Sequence, residues 1–229
     1  MANPNLDLLI AIARAMGPLC ERVVFVGGCA TGLLVDDADL LDVRPTEDVD
    51  AIVEVASLAA YHQVAAGLLE RGFNQTMAAN TPPFRWFWKH MQLDLVPLDE
   101  QVLGFANPWY RVGFEAALTV ALTDGLSLRH LSAPHFLATK LEAFKDRGRN
   151  DVYLSHDLED IMTVLEGRSS VVQEMATADE PLRRYVAESV VALLDMPAFH
   201  NALPGLLSDP GREQTVKARL VQISRSNKH

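Results

Sequence analysis

The sequence predicts an α+β protein: a mixed sheet with flanking helices over residues 1–131, followed by an α-helical C-terminal region over 132–229. Two observations carry this. Short apolar, often β-branched runs near 23–26, 49–55, 92–96, 117–122 and 126–131 are bounded by glycine, proline or acidic turns, the pattern of strands. From Ser132 onward the apolar residues recur at helical spacing instead.

Taken in order, Leu6, Leu9, Ile10 and Ala13 predict an amphipathic helix over 5–16, ended by Gly17-Pro18. Val23-Val24-Phe25-Val26 is a short buried strand, and after Gly27-Gly28 a helix is expected over Cys29–Val35. Residues 36–42, with Asp36, Asp37, Asp39 and Asp42, form an acidic solvated loop. A strand then runs through Asp48 to Val55. Ser57 caps a helix through Glu70 that Gly72 closes. Phe73–Thr76 is a short strand, Asn80–Pro83 a turn, and Gln92–Val96 a strand containing Asp94. Around Trp109 the pattern weakens. Asp124-Gly125 joins two hairpin strands, 117–122 and 126–131. Ser132 and Pro134 start a helix to about Arg147, stopped by Gly148, and Ser155 caps another through Glu166, stopped by Gly167. Two or three more helices follow Ser170, with breaks near Pro181, Pro197, Pro204 and Pro210.

Composition narrows the class. The chain has 229 residues, 49% hydrophobic and 22% charged, as in an ordinary globular protein. No apolar run is long enough to span a bilayer, and the N-terminus lacks a basic n-region, so no membrane partner and no secretory signal are expected. Cys20 and Cys29 have no metal-ligand spacing and fit a reducing, cytoplasmic compartment. The net charge of −10 argues against unaided nonspecific nucleic-acid binding. The charge is uneven: residues 1–100 hold 6 Lys+Arg against 14 Asp+Glu, whereas residues 181–229 hold 7 against 4.

The chemistry is expected in the stretch Arg44-Pro-Thr-Glu-Asp-Val-Asp50. In a strand Asp48 and Asp50 share a face. Two like charges about 4 Å apart repel by roughly 4 kcal/mol at an effective dielectric of 20. A hard divalent cation such as Mg²⁺ would relieve that repulsion. The alternative is an acidic strand edge in water. Asp94, flanked by Leu93 and Leu95, is costly in a strand unless exposed, paired or metal-bound, and its natural place is beside Asp48 and Asp50. Gly27-Gly28 after a strand and before a helix permits close approach of an anion, with Thr31 adding a hydroxyl or capping the helix. Arg44 either neutralises phosphate or pairs with Asp48. Lys140, one turn from Phe136 and Phe144, either reaches a triphosphate or snorkels from the core. Phe84, Trp86, Phe87 and Trp88, with Arg85 and Lys89 between, either stack a base or fill the core.

The order strand, Gly-Gly, helix, Asp-x-Asp strand, later Asp strand resembles the nucleotidyltransferase fold of the DNA polymerase β superfamily. Ala138-Thr-Lys-Leu-Glu-Ala143, Arg147 and His156-Asp-Leu-Glu-Asp-Ile161 resemble the AbiEii-like nucleotidyltransferases, many of them type IV toxin–antitoxin toxins. The likeness covers about residues 20–168. It implies a nucleotidyltransferase-fold core over 1–131 and a helical region over 132–229 that completes the nucleotide site. It also implies two Mg²⁺ held by Asp48, Asp50 and Asp94, with Gly27, Gly28 and Lys140 around the NTP, where Thr31 and Arg44, read above from the residues themselves, would add phosphate contacts. Asp157 supports activity, with Asp160 the second acid of its motif. The implied acceptor is RNA, such as a tRNA, and the implied partner a cognate antitoxin. Two departures stand out: the Gly28–Asp48 gap is long, and His156 replaces a customary Lys or Arg. A small-molecule, antibiotic-type nucleotidyltransferase and an inactive nucleotide-binding module of the same fold remain the alternatives.

Overall fold

Six short runs of β-forming residues pair into one mixed sheet in the computed structural model, which describes residues 4–36, 44–76, 81–122, 125–147 and 151–226. The strands are β1 (Val23–Val26), β2 (Asp48–Val53), β3 (Arg85–Trp88), β4 (Met91–Pro97), β5 (Leu118–Ala121) and β6 (Ser127–His130), in the spatial order β3-β4-β2-β1-β6-β5. β1 pairs antiparallel with β2 and parallel with β6, while β2 and β4 run parallel. The central strands read as near-continuous apolar runs because both faces are covered: Val23 to Val26, Ala51 to Val53 and Leu93 to Val96 are buried throughout.

By internal contacts the chain divides into two units. The first comprises 2–30 and 45–131 and holds the sheet. Its helices are α1 (Pro4–Met16), α2 (Leu58–Glu70), α3 (Glu100–Leu103) and α4 (Tyr110–Glu115). α1 buries Leu9, Ile12, Ala13 and Met16 on one stripe; of the residues expected there, Leu9 and Ala13 are buried while Leu6 and Ile10 are only half-buried. α2 begins where Ser57 Oγ accepts from Ala60 N–H, and its Tyr61 hydroxyl donates to the Leu95 carbonyl of β4.

The second unit groups residues 31–44 with 132–229 and is helical. It contains α5 (Ala133–Arg147), α6 (His156–Gly167), α7 (Val171–Thr177), α8 (Glu180–Leu194), α9 (Pro197–Ala202) and α10 (Glu213–Arg225). α5 packs on α6, α7 and α8, and α10 packs on the same three. No helix among the described residues is long and apolar enough to cross a membrane.

Several elements differ from expectation. The segment after Gly27 is a six-residue 3-10 turn, Gly28–Leu33, and not an α-helix, since so short a segment with two glycines does not repay helix nucleation. Phe73–Thr76 makes only an isolated bridge, Asn74 to Phe87, because Asn and Gln give little side-chain packing to extend a ladder. The weak region around Trp109 holds the two short helices α3 and α4. Among the described residues after Ser170 there are four α-helices: Pro181 and Pro197 each sit at a helix start, where a missing N–H costs nothing. The acidic residues Asp37, Asp39 and Asp42, the turn residue Asn80, the hairpin residue Asp124 and the helix stop Gly148 lie outside the described residues.

Candidate metal centre

β2 places Asp48 and Asp50 on one face, and its register with β4 sets Asp50 beside Asp94 and Asp48 beside Gln92. One carboxylate oxygen from each of Asp48, Asp50 and Asp94 lies within 4.8 Å of the others, so the three could hold a metal ion. At that 4.8 Å spacing each like-charged pair repels by about 3 kcal/mol at an effective dielectric of 20. The donors are carboxylate oxygens, the set that suits a hard divalent cation.

The surrounding residues aim these carboxylates. Thr46 Oγ1 donates to Asp48 Oδ1 at 2.7 Å, and Gln92 Nε2 donates to Asp48 Oδ2 at 3.3 Å. Thr46 is itself pinned, its backbone N–H donating to Oδ1 of the buried Asn5 at 3.0 Å. Across β3 and β4, Arg85 grips Asp94 with both prongs: Nε to Oδ1 at 2.8 Å and Nη2 to Oδ2 at 2.7 Å. That hydrogen bonding pushes the Arg85 guanidinium still further up than usual against a smaller opposing effect of burial, and all three aspartates add to the rise.

Gly27 has a role the sequence did not reveal. Its φ is +71°, and a Cβ there would sit 1.9 Å from Asp50 Oδ2. The glycine therefore clears the space the Asp50 carboxylate occupies, besides allowing the turn. Gly28 opens the 3-10 turn that follows. Cys29, next in that turn, is buried and donates its thiol to the Asn5 carbonyl at 3.0 Å. Burial raises its pKa most, and the charges of Asp50 and Asp48 raise it further. The thiol thus registers the negative potential of the cluster. Thr31 is fully buried, and its Oγ1 has no hydrogen-bond partner among the described residues.

The other expected site residues form a second constellation, inside the helical unit. Lys140 on α5 is buried, with Nζ 2.6 Å from Asp160 Oδ2 and 3.1 Å from Asp157 Oδ1 on α6. Asp157 and Asp160 reach one lysine because residues three apart share a helix face. Arg44 pairs with α6 too, Nε lying 3.2 Å from Glu159 Oε2 and Nη2 3.8 Å from Asp160 Oδ1. The proposed structural partner of Arg44, Asp48, is thus not the one these ion pairs show. His156 also turns to Glu159, at 2.8 Å.

Of the aromatic stretch only Trp86 is core, while Phe84, Phe87 and Trp88 are half-buried. Trp86 is buried, its indole N–H donating to the Tyr61 hydroxyl at 3.3 Å; Trp88 packs on Phe73, and Phe84 on Phe105. Trp86 follows Arg85 in β3 and so faces away from Asp94. The cavity it lines with Tyr61, His62 and Gln75, of about 380 Å³, is therefore on the opposite sheet face from the carboxylates.

Thr46, Gln92 and Arg85 were missed as parts of the cluster. Gln92 had a readable signal, lying two residues before Asp94 in the same strand and so on its face, whereas Thr46 precedes β2 and had none. Arg85 had none, because its partner is set by the β3–β4 register.

No protein-family model matches the sequence, and no curated protein matches it either.

Proposed function

We propose that this chain is a Mg²⁺-dependent nucleotidyltransferase with the nucleotidyltransferase fold, moving NMP from an NTP to an acceptor hydroxyl and releasing pyrophosphate. The observation that carries the reading is the convergence of Asp48, Asp50 and Asp94 from two parallel strands, within 4.8 Å, beside a glycine whose missing Cβ makes room for one of them.

Asp48 and Asp50 would hold two Mg²⁺ jointly, and Asp94 would complete the site of one. When bound, the ions lower the pKa of the acceptor hydroxyl and offset charge on the leaving pyrophosphate. The chain's own residues set the geometry: Thr46 and Gln92 fix the Asp48 oxygens, and Gly27 lets Asp50 approach its strand neighbours. Asp94 would take the proton of the attacking hydroxyl on a carboxylate oxygen. The new bond joins the acceptor's deprotonated hydroxyl oxygen to the α-phosphorus, and the bond from that phosphorus to the α–β bridging oxygen breaks with its electron pair leaving on pyrophosphate. RNA as acceptor, and a toxin–antitoxin setting with a cognate antitoxin, rest on the resemblance of residues 138–143 and 156–161. The basic balance of residues 181–229 adds weight to RNA. Trp86 and the cavity it lines lie on the opposite sheet face, whereas Phe87, two residues from Arg85, shares the carboxylate face, so the small-molecule alternative keeps one aromatic of the stretch at the site.

The test is incubation of the pure protein with each α-labelled NTP, Mg²⁺ and total RNA. Label should enter RNA, and Asp48→Ala or Asp50→Ala should reduce incorporation by about 10³-fold or more, the scale of several kcal/mol supplied by metal-bound charge stabilisation. Undiminished transfer by either folded variant overturns the reading.

A further inference from the structure

The two edges of the sheet are built differently. At one edge β3 carries Arg85, is followed by Lys89, and is met on its outer side by the isolated bridge from Asn74 to Phe87. Charge and partial cover of this kind keep an edge from pairing with another chain. At the other edge β5 reads Leu118-Thr119-Val120-Ala121, with no charge and no proline, and no strand lies beyond it among the described residues. The pairing with β6 fixes which backbone groups face outward. Leu122 N–H donates to the Leu126 carbonyl at 2.8 Å, one step beyond the Ala121–Ser127 pair. Hydrogen-bonded and non-hydrogen-bonded pairs alternate along antiparallel strands, so Leu118 and Val120 also turn their N–H and C=O groups to β6. Thr119 and Ala121 turn theirs outward, and both residues are exposed.

We propose that this edge pairs antiparallel with the same edge of a second copy of the chain, about a two-fold axis at Val120. The sequence matches itself in that register. Residues 118–122, Leu-Thr-Val-Ala-Leu, laid against their own reverse, set Leu on Leu, Thr on Ala and Val on Val. The outward groups of Thr119 then meet those of Ala121 in the second copy, and the ladder closes on both sides of the axis. A slip of one residue would oppose outward groups to inward ones and leave the ladder unbonded. Every facing pair is small or apolar, the kind of cross-strand pair that adds to the backbone bonds. Leu118, 44% exposed, gains a leucine opposite it and loses water. An edge without charge that matches its own reverse selects a copy of itself over a partner chosen by charge. The protected β3 edge stops the pairing at two copies, so the contact closes and does not run on into a fibre. The interface is small, and association belongs in the micromolar range. None of this depends on the metal-dependent reading above.

Sedimentation equilibrium of the full chain, from about 1 to 200 µM, tests it and should show a monomer–dimer equilibrium. Thr119→Pro removes an outward N–H while sparing the bonds to β6, so it should raise the dimer dissociation constant by about 10-fold or more in a folded protein. Where that variant folds poorly, Val120→Lys serves, since it sets two like charges directly opposite each other. Cross-linking reads the register. In Val120→Cys the two thiols face each other with Cα atoms about 4.5 Å apart, and mild oxidation should join two chains. In Thr119→Cys they stand about 8 Å apart and should not join. The native Cys20 and Cys29 are buried and give a low background. A wild type that stays monomeric throughout overturns the proposal and leaves the edge to a strand of a different protein. A dimer that both the Thr119→Pro and the Val120→Lys variants keep at full strength overturns it too, because the copies then meet elsewhere. Cross-linking through position 119 and not 120 overturns the register.

Discussion

Two clusters of acids among the described residues look alike in the sequence and differ in three dimensions. On the sheet, Asp48, Asp50 and Asp94 turn their oxygens toward one another, within 4.8 Å. In the helical unit, Asp157, Glu159 and Asp160 each turn toward a cation, Lys140 or Arg44. Acids facing acids store repulsion that a ligand can relieve, offset on the sheet only in part by Arg85 on Asp94, whereas in the helical unit each of the three acids has a cation against it. The lesson is that an Asp-x-Asp and an Asp-x-x-Asp of equal prominence need not do the same work. The first has the geometry of a binding site. The second, with Asp160 and Lys140 both buried, has the geometry of an internal brace.

One substitution type, made in both places, breaks or sharpens this contrast. The largest effect on folding is expected at Asp160→Asn. It leaves buried Lys140 and Arg44 short of their shared partner and should cost about 3 kcal/mol or more in a denaturant titration. The same change at Asp48, where Asn can still accept from Thr46, should leave metal-free stability unchanged or raise it by about 1 kcal/mol while removing Mg²⁺-dependent stabilisation. Equal losses at the two sites would abolish the distinction. Gly27→Ala should come next, by about 1–3 kcal/mol, because it combines a left-handed backbone with a Cβ driven into Asp50. It should also weaken Mn²⁺ binding, which an ordinary turn glycine would not.

The smallest effect concerns pH, at an ion pair outside both clusters. Burial alone would raise the Glu174 pKa, but hydrogen bonds from Arg168 and Ser170, with the Arg168 charge, together bring it below its ordinary value. A depressed carboxylate stabilises the fold above its unfolded pKa, and the contribution fades as pH falls through the folded one. Glu174→Gln should therefore flatten the acid limb of the stability profile, by under about 1 kcal/mol, and leave neutral-pH metal binding untouched. A matching change in Mn²⁺ affinity would show that the helical unit and the metal centre are coupled.

Much of this was legible in one dimension. Ser57 and Ser155 stood where the helices they cap begin, since capping depends on residues three apart. Asp48 and Asp50 shared a face because a strand's period is two, and the apolar run at 49–53 made the strand. The placement of Asp94 beside them could be argued from the cost of an acid between Leu93 and Leu95. The aromatic stretch at 84–88 was ambiguous by composition alone, and packing decided it for Trp86, buried against Tyr61, while Phe84, Phe87 and Trp88 stay half-buried.

What the chain's order of residues determined by itself was local: where helices start, which face a side chain takes, and which acids travel as a pair. Folding alone decided who meets whom across the sheet and between helices. Arg85 reaches Asp94 through strand pairing, Gly27 makes room for Asp50 across β1 and β2, and Lys140 meets Asp160 where α5 packs on α6. These partnerships span 9 to 23 positions, beyond the reach of any helical or strand period, so only the assembled backbone could fix them.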